Sequence, residues 1–344
     1  MKITVCVGTG GVGKTSVAAA TALLAARAGL KSLVLTMDPA NRLRTALRLN
    51  DGALQQRVPM ADVKGELWAA LLDVNATLDE AVRLYGRAES RQRILDHPIY
   101  RSIANSLPGM QELMAVERLD QLIQRGFDHI VIDTAPSRHA FEVLDKPEIF
   151  ARFSESAGTK LASRTFQFAE TIGLTAIGRG AADLYTRVEA LLGAHMVRQV
   201  LDFYSLFYSI AEGYAARARR TVTVLRDPAI TEFRVVSTPA KALRDARFFL
   251  DELGRRKFSV GMVCVNRAWR HPRSEPALQG LAAELLEWHR SVSESHDGAI
   301  EEVRQAISAR VREIRILSEL ERDVDGLEAL GSLADQFVPP PDAR

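Results

Sequence analysis

The sequence predicts an α/β fold: a doubly wound, mostly parallel sheet with a helical subdomain inserted into it. Three observations carry this. Near-continuous apolar runs of strand length alternate with helical patterns through most of the 344 residues, as in sheets covered by helices on both faces. A glycine-rich loop joins the first run to the first helix. The alternation stops over residues 150–220 and resumes after them.

Ile3–Val7 reads as the first buried strand, and Lys14–Ala28 as an Ala- and Leu-rich helix ended by Gly29. Ser32–Thr36 and Leu67–Val74 are the next strands. Helical segments follow, broken by Pro98 and Pro108, before the strand Phe127–Asp133. Residues 150–220 hold 10 of the 22 aromatic residues in about a fifth of the length, so the stretch is read as helical and enriched. Strands return at Phe233–Ser237, Phe258–Asn266 and Ile314–Leu317, and Pro339–Pro341 reads as a disordered tail. The organisation expected is a single domain over 1–344, with a helical subdomain at 150–220.

Composition narrows the function. With 47% apolar and 26% charged residues the chain can bury a full core. A net charge of +2 and the lack of a long Lys/Arg block exclude a dedicated nucleic-acid binder. Cys6 and Cys264 lie far apart in apolar runs, which predicts buried thiols rather than a disulfide or a ligand pair. The seven histidines have no metal-site spacing. Gly8–Thr15 interrupts the N-terminal apolar run before a secretory segment can form. The longest apolar stretch, Val17–Ala26, reads as a short amphipathic helix, below the ~20 residues that span a bilayer. A soluble, cytoplasmic protein is expected.

Three motifs carry chemistry. Gly8-Thr9-Gly10-Gly11-Val12-Gly13-Lys14-Thr15-Ser16 follows a strand and opens a helix, the context a phosphate-binding loop requires. Its glycines let backbone N–H groups turn inward as an anion nest at a helix N-terminus. Lys14 is placed to reach the β- and γ-phosphates, and the Thr15 hydroxyl to hold Mg²⁺. His129-Ile130-Val131-Ile132-Asp133 is an apolar strand ending in a carboxylate, the usual Mg²⁺-side half of such a site. Asp38-Pro39-Ala40-Asn41-Arg42-Leu43 follows the second strand and emerges at the ligand-binding edge of a doubly wound sheet. Asp38 there either positions an attacking water or is an ordinary turn residue before Pro39. These motifs predict a P-loop NTPase fold using ATP and Mg²⁺.

The three motifs, with Asp133-Thr134-Ala135-Pro136-Ser137-Arg138-His139 extending the second, resemble the arsenite-pump and tail-anchored-protein targeting ATPase family, a deviant Walker A group. Leu107–Glu112, Ser237-Thr238-Pro239 and Val263–Arg267 add to the likeness. The nearest likeness is to bacterial anion-transporting ATPase-like members. The resemblance implies that Gly10, Gly11, Val12, Gly13, Lys14, Thr15 and Ser16 bind the nucleotide, with Asn266 and Pro239 on the base side. It implies Thr15 and Asp133 at the metal, with Lys14 and Asp38 catalytic. Arg42, Pro136, Arg138 and His139 fall in the switches. It also implies a homodimer, or a heterodimer with a paralogue, and a membrane-protein client or transporter subunit as partner.

Three departures stand out. Thr9 occupies the position of the family's extra lysine, which reaches across the dimer. Arg42 and Arg138 replace small switch residues, either restoring positive charge near the γ-phosphate or lying solvated at the surface. The Cys-x-x-Cys zinc clamp and the arsenite-binding cysteines are missing, so no structural zinc is expected. Phe203, Tyr204, Phe207 and Tyr208 form one broad helical face, which suits a subdomain core or a groove for an apolar helix. The functional expectation is an ATP-driven switch coupled to a membrane-protein client or transporter. The alternatives are a nucleotide-gated chaperone for apolar helices and a MinD-like positioning ATPase.

Overall fold

The computed structural model describes residues 1–37, 42–50, 54–60, 63–100, 109–135, 193, 199, 213–271 and 279–338. Within them an eight-stranded sheet runs β3-β4-β2-β5-β1-β6-β7-β8. Its strands are β1 (Lys2–Val7), β2 (Lys31–Thr36), β3 (Gln55–Arg57), β4 (Glu66–Leu71), β5 (His129–Asp133), β6 (Thr231–Ser237), β7 (Val260–Ala268) and β8 (Glu313–Ser318). All neighbours are parallel except β3, which pairs antiparallel with β4 at one edge. The fold is a P-loop NTPase α/β fold. All seven expected strands are present. β3 is the addition: three polar residues carry no apolar signal, and only pairing with β4 makes them a strand.

Two differences from the sequence reading have a physical cause. The strand expected to reach Val74 stops at Leu71, because Asp73 caps the next helix by accepting a hydrogen bond from the Ala76 N–H at 2.8 Å. Helix α1 (Lys14–Arg27) is not amphipathic: Val17, Ala18, Ala19, Ala20, Ala22, Leu23, Ala25 and Ala26 are all buried. It packs on β1, β2 and β5 and is also covered by the last helix, Leu327–Asp335.

The chain divides into two compact units. One comprises 1–72, 123–140 and 223–344 and contains the sheet. Strand alternation sorts its residues by face. Cys6, Val34, Val131, Val236 and Cys264 join α1 in a single apolar cluster. The intervening Val5, Leu35, Ile132, Val235 and Val263 are buried on the opposite face. There the helices Ala242–Arg255 and Leu281–Ile307 pack against the strands. The other unit comprises 73–122 and 141–222. Its described part has helices Val74–Tyr85 and Ala88–Leu95, most of helix Met110–Ile123, and helical residues from 213 onward. It contains the buried ion pair Glu117–Arg217 (3.0 Å), and the buried Asp120 carboxylate pairs with the exposed Arg220 (2.7 Å). Most of the expected subdomain at 150–220, including Phe203, Tyr204, Phe207 and Tyr208, lies outside the described residues.

Candidate functional site

The glycine-rich loop leaves β1 and turns directly into α1. Gly11 and Gly13 take φ of +79° and +87°, a region costly for any residue with a Cβ. Gly8 is required for contact instead, since a Cβ there would sit 2.1 Å from the Val236 carbonyl oxygen. Gly13 is the residue before α1 and has no side chain to cap it. The first-turn N–H groups of α1 are thereby left to an anion. Lys14 and Thr15 open the helix, and both are nearly buried, at 7% and 8% exposure. The Lys14 ammonium donates to the Thr9 carbonyl at 2.9 Å, within its own loop.

Asp133 ends β5 on the face that carries α1. Its Oδ2 accepts from the Thr15 hydroxyl at 2.8 Å and from the Thr36 hydroxyl, at the end of β2, at 2.9 Å. Two hydroxyls and a carboxylate gathered at the carboxyl ends of two neighbouring strands are hard-oxygen donors. They fit Mg²⁺, which prefers such ligands together with phosphate oxygens. The loop and helix terminus beside them fit a polyphosphate. Thr36 was not singled out from sequence, although a lone polar residue closing an apolar strand was a usable signal.

Asn266 lies in β7 with Met262 and Cys264 on the α1 face. It is buried, and its amide donates to the Val12 carbonyl at 2.9 Å. A Cβ on Gly13 would lie 2.3 Å from that amide nitrogen. Asn266 therefore braces the glycine-rich loop as well as lining the cavity beside it. The pairing of β7 with β8 slips between Val265 and Ala268, and Arg267 takes φ +62°. Its guanidinium lies 3.7 Å from Glu319.

A cavity of about 490 Å³ opens at the loop. Gly11, Gly13, Lys14, Thr15, Ser16, Arg42 and Asn266, all expected from sequence, line it together. Arg267, Glu319, Arg322 and Asp323 are lining residues that were not expected. The volume is that of a small-molecule ligand site. Four cationic side chains against two carboxylates give its lining a positive balance.

Other expected residues fall elsewhere. Val12 is in the apolar cluster, and Gly10 is exposed. Pro239 is buried in a short turn, Pro239–Lys241, and does not line the cavity. Asp38, Pro136, Arg138 and His139 lie outside the described residues. Cys6 and Cys264 are free and buried; burial pushes both thiol pKa values up, that of Cys264 to about 12. Among the described residues no group of three or more His, Cys, Asp or Glu is placed to hold a metal, and no helix is long and apolar enough to cross a membrane.

With this geometry in place, the chain matches the family model described as Anion-transporting ATPase over residues 1–338. The chain belongs to that family. Among curated relatives it is similar to ATPase get3 of Schizosaccharomyces japonicus, at 26% identity over 195 residues, covering 54% of this chain and 56% of that protein. It is also similar to ATPase ARSA2 of Chlamydomonas reinhardtii, at 25% over 268 residues, 76% of this chain and 66% of that one. A third relative is the arsenical pump-driving ATPase of Acidiphilium multivorum, at 32% over 163 residues, 43% of this chain and 26% of that one. The match thus spans less than two thirds of each relative's length.

Proposed function

We propose that this chain binds ATP with Mg²⁺ and hydrolyses it, using the cycle as a conformational switch. The observation that carries the reading is the Thr15–Asp133–Thr36 oxygen cluster beside an uncapped helix N-terminus. Family membership and the name ATPase on its relatives support the same reading. In it, the loop from Gly10 to Ser16 cradles the phosphates. Lys14 leaves the Thr9 carbonyl for a phosphate oxygen, where its charge opposes the charge that develops during transfer. Thr15 and Asp133 hold the metal, which neutralises phosphate charge when bound. Asn266 faces the base side of the same cavity, and Pro239 shapes the turn behind it. Asp38 positions water, and Pro136, Arg138 and His139 form the second switch. Arg42, at the cavity, supplies positive charge near the terminal phosphate.

The same reading assigns a cytoplasmic protein that acts as a homodimer or with a paralogue, and passes its switch to a membrane-protein client or transporter subunit. The helical subdomain at 150–220 would carry that contact. A nucleotide-gated chaperone for apolar helices is the alternative, distinguished by apolar segments co-purifying with the chain when hydrolysis is blocked.

The test is MgATP hydrolysis and binding by the full chain. Lys14→Ala should lower turnover at least ~100-fold, as loss of a charge-stabilising contact does. Asp38→Asn should bind ATP normally and lose turnover, since it removes a water-positioning carboxylate and no phosphate contact. Normal turnover in both variants would refute the assignment.

A further inference from the structure

Thr9 is held at both ends. Its carbonyl accepts from the Lys14 ammonium at 2.9 Å. Its hydroxyl donates to Asp245 Oδ2 at 2.8 Å, across 236 residues of sequence. Asp245 lies in the first turn of helix Ala242–Arg255 and is only 2% exposed. The same carboxylate oxygen accepts from the Ser237 hydroxyl at 2.7 Å. Ser237 is the fully buried last residue of β6, the strand parallel to β1. One buried carboxylate oxygen thus ties the phosphate loop, at the end of β1, to the end of β6.

A buried carboxylate is costly unless hydrogen-bonded. An acid in the first turn of a helix also gains from the helix dipole. The dipole accounts for an acid at this end of the helix, but not for two hydroxyls from different segments converging on one of its oxygens. Nor is the link remote from the chemistry. Thr9 directly carries the carbonyl that holds Lys14, so any sideways movement of Thr9 moves the resting place of the phosphate-binding ammonium.

We propose that Asp245 is a positioning residue of the nucleotide site: through Thr9 it fixes the phosphate loop in its binding geometry. This rests on the reading of the loop as an ATP site. Its corollary is that the Thr9 hydroxyl is committed within its own chain, so position 9 contributes to nucleotide binding in cis through a carboxylate partner.

The experiment measures MgATP binding to the full chain by calorimetry, with unfolding followed by tryptophan fluorescence. Thr9→Val keeps the shape and removes the donor. It should weaken ATP binding about tenfold, equivalent to about 1.4 kcal/mol, while the chain remains folded at the assay temperature. Thr9→Ser keeps the donor and should bind within about twofold of the parent, a rescue that a purely steric role would not give. Ser237→Ala, which cuts the other bond to the carboxylate, should also weaken ATP binding. Asp245→Asn keeps an oxygen acceptor and should bind better than Asp245→Ala. ATP affinity unchanged in Thr9→Val, or equal losses in Thr9→Val and Thr9→Ser, would overturn the proposal. Absence of ATP binding by the parent chain would instead overturn the nucleotide reading on which it stands.

Discussion

Substituting Gly13 by Ala tests the bracing of the glycine-rich loop by β7. Two costs add at this position. Gly13 has φ +87°, and an L-residue in the left-handed region costs about 1–2 kcal/mol. The new Cβ would also lie 2.3 Å from the Asn266 amide nitrogen. The amide must then leave, and its 2.9 Å hydrogen bond to the Val12 carbonyl is lost. A buried bond of that kind contributes about 0.5–1.5 kcal/mol. Gly13→Ala alone should therefore destabilise by roughly 2–3 kcal/mol. In an Asn266→Ala background the second cost has already been incurred, so Gly13→Ala should cost only the backbone part. The two changes should be sub-additive by about 1 kcal/mol. Urea unfolding followed by tryptophan fluorescence measures this, because Trp68, Trp269 and Trp288 all lie in the unit that contains the loop. Additivity within ~0.3 kcal/mol would show that Asn266 and Gly13 do not contact each other, and would refute the bracing.

Burial, then the charge of Arg234, lowers the His129 pKa from 6.5 to about 4, while Glu232 opposes the shift. The unfolded chain therefore takes up this proton first. Stability should be complete above about pH 6.5 and fall as pH drops towards 4, by at most ~3 kcal/mol, with His129→Gln flattening the slope in pH-dependent urea melts. Cys6 and Cys264, with raised pKa values and full burial, should resist thiol reagents at pH 8 and both react in denaturant, as a colorimetric thiol count would read. In the other unit, Glu117→Ala strands the buried Arg217 guanidinium and should cost ~3–5 kcal/mol by far-UV circular dichroism melts, with Glu117→Gln milder because it keeps a hydrogen-bond acceptor.

The sequence by itself determined what local pattern can determine. Apolar runs of strand length, a glycine-rich turn into a helix and an Asp closing an apolar strand are statements about neighbours in the chain. They gave the parallel sheet, the glycine-rich loop that leads into α1, and Thr15 and Asp133, which the fold brings into hydrogen-bond contact. Tertiary structure decided whatever depends on which strand lies beside which. The register of β5 against β1 and β2 brings Thr36 to Asp133. The parity of β7 turns Asn266 under Val12, 254 residues away. Helix α1 reads as amphipathic by itself, yet it is buried on several faces because the sheet and the last helix both cover it. Asp245 carries no local signal beyond an acid in a helix's first turn. Its partners Thr9 and Ser237 sit at the ends of two strands that the sheet order sets side by side, and only that adjacency brings the two hydroxyls to one carboxylate oxygen.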